Sequence, residues 1–107
     1  MADETPVLEL LAGMTADSIE ASNLDAETLM LVRIAALVAV DAPPASYLMN
    51  LGAAGELGIG EDQVRGVLAA VAPIVGTPRV VAATGNIVRA LGFALEMAEL
   101  EEGEAGA

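Results

Sequence analysis

Residues Ala42 to Gly58 read APPASYLMNLGAAGELG, and their punctuation decides the fold. A residue that precedes proline is pushed out of the helical region, whereas proline fits the first helical turn. Asp41-Ala42-Pro43-Pro44 therefore closes one helix and opens the next. Gly58 stands where a left-handed C-terminal cap is needed. Between them, Tyr47, Leu48, Leu51 and Ala54 form one apolar stripe at helical spacing, and Met49, Gly52 and Ala53 form another. The reading is one helix over Pro44–Leu57, with small residues from Gly52 to Gly55 that would let another backbone approach.

Upstream, Asn23-Leu24-Asp25 reads as a turn and cap, followed by a helix from Ala26 to about Val40. Its residues Leu29, Leu31, Val32, Ile34, Ala35, Leu37, Val38 and Val40 leave almost no polar face, so burial on several sides is expected. Further upstream, Thr5-Pro6 opens an amphipathic docking segment containing Val7, Leu8, Leu10 and Leu11. Gly13 marks either a break within it or a point the helix runs through. Downstream, Gly60-Glu61-Asp62 starts a helix whose apolar face carries Val64, Val67, Leu68, Val71 and Ala72, with Pro73 expected to kink or end it. Gly76-Thr77-Pro78 repeats the stop, cap and proline pattern before a last helix to about Leu100. Interior glycines cost about 1 kcal/mol each against alanine, so Gly85 and Gly92 suggest tight helix crossings. LGIG at Leu57–Gly60 has no preceding strand and no third glycine, so it is not a dinucleotide fingerprint. The chain reads as one all-α domain over residues 1–100, of five to six helices, and a disordered acidic tail over 101–107.

Composition narrows the chemistry. Among 107 residues there is no cysteine and no histidine. Disulfides, thiolate metal sites and the commonest general base are excluded. A hard-cation site of carboxylates is the remaining metal option, and Glu96, Glu99 and Glu102 share a helix face near the C-terminus. A solvated face at a fraying end is the better reading of these three, and no metal or cofactor is expected.

The net charge of −12 is unevenly laid out. Met1–Val32 carries seven acids and no base, and Ala90–Ala107 carries five acids and no base. From Arg33 to Arg89, four acids balance all four arginines. Four dispersed arginines form no basic patch, so nucleic acid and anionic membrane surfaces are not expected partners. Mean hydropathy is +0.62, yet charges interrupt every apolar run well short of the roughly 20 residues a spanning helix needs. With no basic n-region before an apolar stretch, a cytoplasmic protein is expected. Apolar residues make up 55% of the chain, above the usual 45–50%. A small domain cannot hide such content alone, so a closed homo-oligomer is expected, with the acidic ends in solvent. Arg33 and Arg79 are candidates for ion pairs across subunits.

Several pieces resemble the carboxymuconolactone decarboxylase and alkyl hydroperoxidase D-like family. They are Leu31-Val32-Arg33-Ile34-Ala35, then Asn50 with Gly58 eight residues on, then Gly58–Val64, and Val75-Gly76-Thr77-Pro78. The resemblance implies an all-α bundle and homo-oligomers built on trimers or hexamers, with a larger closed shell as a further arrangement. Redox-active members of that family carry C-x-x-C-x-x-x-H, preceded by a glutamate. Counted back from Gly58, those positions fall on Pro43, Ser46 and Asn50, with the glutamate near Met30 or Leu31. All four are replaced, which removes the basis of peroxidase or disulfide reductase chemistry.

What remains in that region is Ser46, Tyr47, Asn50 and Arg33, none of them a good base near neutral pH. They are the candidate ligand-binding residues: Arg33 for an anion, the other three for polar contacts. Two functions follow. The first is a non-catalytic homo-oligomeric structural or interaction protein. The second is a small-molecule site for an apolar carboxylate, binding it or catalysing a mild isomerisation or decarboxylation. Convergence of the four residues on one pocket discriminates between them.

Overall fold

The computed structural model describes residues 5–106 of the backbone and side chains as far as residue 92. Five helices follow in order: α1 (Thr5–Ser22), α2 (Ala26–Ala39), α3 (Pro44–Glu56), α4 (Glu61–Val75) and α5 (Thr77–Gly106). Among the described residues there is no strand. The all-α expectation holds. Helices α2, α3, α4 and α5 pack on one another, with α2 touching all three of the others.

The two turns of the core are built alike. After α2, Asp41 takes a left-handed φ of 56°, its N–H bonds Val38 O, and Ala42 N–H bonds Leu37 O. After α3, Gly58 has φ 82°, its N–H bonds Gly55 O, and Ile59 N–H bonds Ala54 O. Both are Schellman caps, which satisfy carbonyls that a helix end otherwise orphans. The residue after each left-handed position, Ala42 or Ile59, is buried and anchors the turn by an apolar contact. Pro43 is the N-cap of α3 and Pro44 its first residue, as the prolines required.

Two further contacts lock neighbours together. Arg79, in the first turn of α5, donates to Ala39 O at the end of α2. It thus caps a helix within its own chain. Gln63 accepts from the Gly60 N–H at 3.1 Å and donates to Glu27, which ties the start of α4 to the start of α2.

The core forms two clusters. Val38, Ala42, Tyr47, Ala83, Ile87 and Ala90 fill the space among α2, α3 and α5, with Leu48, Leu68 and Val71 packed against them. Met30, Ile34, Ala54 and Ile59 fill the space beside α4. Burying a side chain such as Ile34 fully contributes about 1.5–3 kcal/mol. The stripe Tyr47, Leu48, Leu51, Ala54 faces inward as its spacing implied.

Two open readings resolve and two expectations need correction. Helix α1 runs through Gly13 without a break. The single glycine costs only about 1 kcal/mol, and good helix formers flank it. Helix α4 passes Pro73 and ends two residues later, where Gly76 takes φ 88°. The small residues of α3 and the glycines of α5 meet no neighbouring backbone: an added Cβ at Gly52, Gly55, Gly85 or Gly92 would contact nothing within 4 Å. Finally, α5 continues past Leu100 to Gly106, because Glu and Ala sustain a helix and no proline stops it. The side chains of Glu96, Glu99 and Glu102, and the packing of the acidic tail, lie outside the described residues.

Helix α2 is covered on most sides by α3, α4 and α5 and leaves one strip in solvent. Leu29, Met30, Ile34 and Val38 are buried, whereas Val32 and Val40 are exposed. Helix α1 is barer still. Every residue from Thr5 to Ala21 is exposed. No helix packs on α1 beyond a marginal contact.

The caps generate a paired prediction. Asp41 pays the steric penalty of a left-handed L-residue, so Asp41→Gly is expected to raise stability by about 1 kcal/mol. Gly58→Ala meets no neighbour but must adopt the same conformation, so it is expected to lower stability by about 1–2 kcal/mol. Denaturant midpoints at fixed protein concentration check both, and equal midpoints for the two variants would contradict the cap assignment.

Candidate functional site

Helices α1, α2 and α3 enclose a cleft of about 670 Å³. Its walls are apolar, with Leu29, Met30 and Leu37 from α2 and Met49 from α3. Four polar residues line it: Thr15 from α1, Arg33 from α2, and Ser46 and Asn50 from α3. Ser46 and Asn50 are one helical turn apart, which places them on the same face. The Asn50 side-chain amide donates to Ser46 O at 2.9 Å, which fixes its orientation and leaves its oxygen free of that bond.

Arg33 sits at the rim. Its guanidinium donates to the Thr15 carbonyl at 3.4 Å and to Ser18 Oγ at 3.2 Å, both on α1. Among the described residues no carboxylate pairs with it, and the one ion pair, Arg65–Asp62, lies on the exposed face of α4. An arginine without an acid partner is notable in a chain with 16 acids. The sequence offered no signal for Thr15 and Ser18, because their role depends on where α1 lies.

Tyr47 does not join the cleft. It is fully buried on the opposite side of α3, within the cluster formed with Val38 and Ile87. Its hydroxyl is buried without a hydrogen-bond partner. Burial, and then the charge of nearby Asp41, push the phenol above its ordinary pKa. Spacing alone does not separate it from the other candidates, since position 47 lies about 100° around the helix from position 46 but only about 60° from position 50. By its burial, Tyr47 belongs to the core stripe alone.

The cleft carries polar groups suited to binding. It can offer a fixed cation, a hydroxyl and an amide to a small anion with an apolar body. It contains no carboxylate, imidazole or thiol to move a proton or attack a carbonyl. Among the described residues, no group of three or more acids is placed to hold a metal ion.

An all-helical bundle whose α2–α3 cleft lies where Ser46, Asn50 and Met30 meet defines the class. The family model for the carboxymuconolactone decarboxylase family matches residues 5–86. This chain belongs to that family. No curated protein and no solved structure matches it. Of the residues counted into the family's redox positions, Ser46, Asn50 and Met30 line the cleft, and Pro43 does not. Among the described residues, no helix is long and apolar enough to cross a membrane.

The orphaned Tyr47 hydroxyl generates a prediction with a definite sign. Its folded-state pKa lies above the free value of about 10. The stability it contributes is therefore complete below pH ~10 and is lost as pH rises through the folded pKa. As the only tyrosine, in a chain without tryptophan, it reports phenolate absorbance without overlap. Phenolate is expected to appear only with alkaline unfolding. Tyr47→Phe should remove that linked loss and match or exceed wild-type stability at neutral pH by about 1 kcal/mol, since it deletes an unsatisfied group. Phenolate formed at ordinary pH values in folded protein would contradict the placement.

Proposed function

We propose that this protein is a homo-oligomeric, non-catalytic member of its family, acting as a structural or interaction protein in the cytoplasm. The observation that carries the reading is α1. Val7, Leu8, Leu10, Leu11, Met14 and Ile19 are each between 49% and 63% exposed on this one helix. Monomers rarely leave contiguous apolar surface of more than a few hundred Å² in water.

The whole-chain surface agrees. A compact monomer of 10.8 kDa exposes about 5,500 Å², whereas this chain exposes 7380 Å². Its radius of gyration is 15.5 Å, against about 13 Å for a compact chain of this length. Trimer- or hexamer-based assemblies are what the family resemblance implies, and a head-to-tail contact gives such a ring when its rotation closes. Residues Arg33 to Arg89 are electrically balanced and supply neutral surfaces for such contacts, while the acidic ends keep the assembly soluble.

The second reading is a small-molecule site, favoured by the convergence of Arg33, Ser46 and Asn50 on one apolar cleft. The ligand class is an apolar carboxylate, with Arg33 as the anion contact.

Sedimentation velocity from micromolar concentration downward tests the first reading. A species several times 10.8 kDa is expected throughout, and a stable, folded monomer would overturn it. Calorimetric titration with octanoate and benzoate tests the second. Binding is expected to weaken about 10- to 100-fold in Arg33→Met, the worth of a charged hydrogen-bonded contact. Equal affinity in the variant, or no heat with wild type, would overturn it.

A further inference from the structure

We propose that the cleft among α1, α2 and α3 is a head-and-tail site for an unbranched aliphatic monocarboxylate of about eight to ten carbons. The proposal rests on the ligand-binding reading of that cleft and names the ligand class and its direction.

The lining sets the length of the cleft. Helix α2 contributes Ala26, Leu29, Met30, Arg33 and Leu37, which is the spacing i, i+3, i+4, i+7 and i+11 along one helix face. Helix α3 lines the cleft with the same spacing, from Ser46 to Leu57. Eleven residues rise about 17 Å, so the cleft is a trough along three turns of each helix. The two helices run antiparallel: a short turn joins them, Val38 meets Tyr47 in one core cluster, and Met30 meets Ala54 in the other.

Polar and apolar groups are therefore sorted by end. Arg33, Ser46 and Asn50 lie in the half nearer the α2–α3 turn, and Arg33 holds the Thr15 carbonyl beside them. The far half runs from Met30 to Ala26 on α2 and from Ala53 to Leu57 on α3, and its lining side chains are all apolar.

Charge points the same way. Arg33 is the one charged residue in the lining. Its Nη2 makes both bonds to α1, which leaves Nε and Nη1 to donate to a carboxylate, the anion that a guanidinium fork fits. At the far end the sign reverses. Exposed Asp25 and Glu27 flank Ala26 in the chain, and exposed Glu56 precedes Leu57. Asp41, beyond the near end, acts on Tyr47 on the other side of α3. A carboxylate is thus attracted to one end of the trough and repelled from the other.

The span between the two ends fixes the tail. From Arg33 to Ala26 is about 10 Å along α2. A carbon–carbon bond of about 1.5 Å advances an extended alkyl chain by about 1.25 Å, so about eight carbons cover that span. The walls are Leu, Ile, Met and Ala, with no aromatic ring. Met49, 78% exposed at the edge of the trough, is a flexible side chain able to fold over such a tail.

Calorimetric titration of the wild-type protein with sodium salts from butanoate to dodecanoate, below their micelle concentrations, tests the proposal. Affinity is expected to rise about fourfold per methylene, the worth of one buried CH₂. The rise should level off at about octanoate to decanoate, where the chain leaves the trough. Suberate, an eight-carbon chain with a carboxylate at each end, should bind at least about tenfold more weakly than octanoate, because its second charge meets the apolar half. Ala53 is exposed, and in Ala53→Leu the added side chain fills the start of that half. The rise should then stop about four to five carbons earlier. Carboxylates that lose affinity in Arg33→Met yet show no rise with chain length, or suberate binding as tightly as octanoate, would overturn the head-and-tail site and leave the ligand reading standing. An Ala53→Leu series that levels off at the wild-type length would also overturn it, by removing the tail from the far half. No binding of any carboxylate would overturn both readings.

Discussion

The structure depends on a shortage of interior. Among the described residues the buried core consists of eleven side chains, and four of them are alanines: Ala42, Ala54, Ala83 and Ala90. Alanine packs helices closely but removes little apolar area from water, so each contributes much less than an Ile34 or a Val38. The same chain leaves Val7, Leu8, Leu10, Val40, Met49, Ile74 and Val81 in solvent, Ile74 at 87%. Apolar side chains are therefore abundant and misplaced for a monomer. The shortage also leaves one strip of α2 in solvent, although the helix is apolar around its circumference. Association is the physical remedy, since it converts this exposed surface into interior.

The rigid part of the molecule is correspondingly small. Two Schellman caps, the Arg79 contact to the end of α2 and the Gln63 bridge between α2 and α4 fix how the four core helices meet. These are backbone and polar devices, and they hold geometry where burial is thin. Helix α1 has none of them except Arg33. The cleft beside Arg33 inherits this contrast: its α2 and α3 walls are set by the core, and its third wall is the least constrained helix in the chain.

Much of the fold was legible in the sequence because its signals are local. Pro43-Pro44, Gly58, Gly76 and Thr77-Pro78 act through the conformations their own backbones allow, and each falls at the helix boundary it implied. The left-handed conformation of Asp41 was not legible, since aspartate shares that region with no strong preference and the Pro43 restriction masked the cap. Gly85 and Gly92 misled because a glycine can signal close approach, and no approach occurs within one chain. For the site, the four-residue spacing of Ser46 and Asn50 was sufficient to put both in the cleft. Tyr47 was read both as core and as ligand contact, and its burial in the cluster with Val38 and Ile87 decides for core. Thr15 and Ser18 were illegible, because a contact between α1 and Arg33 depends on tertiary placement that no local signal encodes.

The central claim is that α1 is covered by other copies of the chain. Backbone hydrogen exchange of residues Thr5–Ser22 tests it most directly, followed at concentrations above and below the assembly's dissociation. A lone amphipathic helix of this length is marginal in water and opens readily. The account predicts slow exchange in α1, comparable to that of α2, in the assembled protein, and fast exchange on dissociation. Fast exchange in α1 of an intact assembly, beside protected amides in α2, would contradict it.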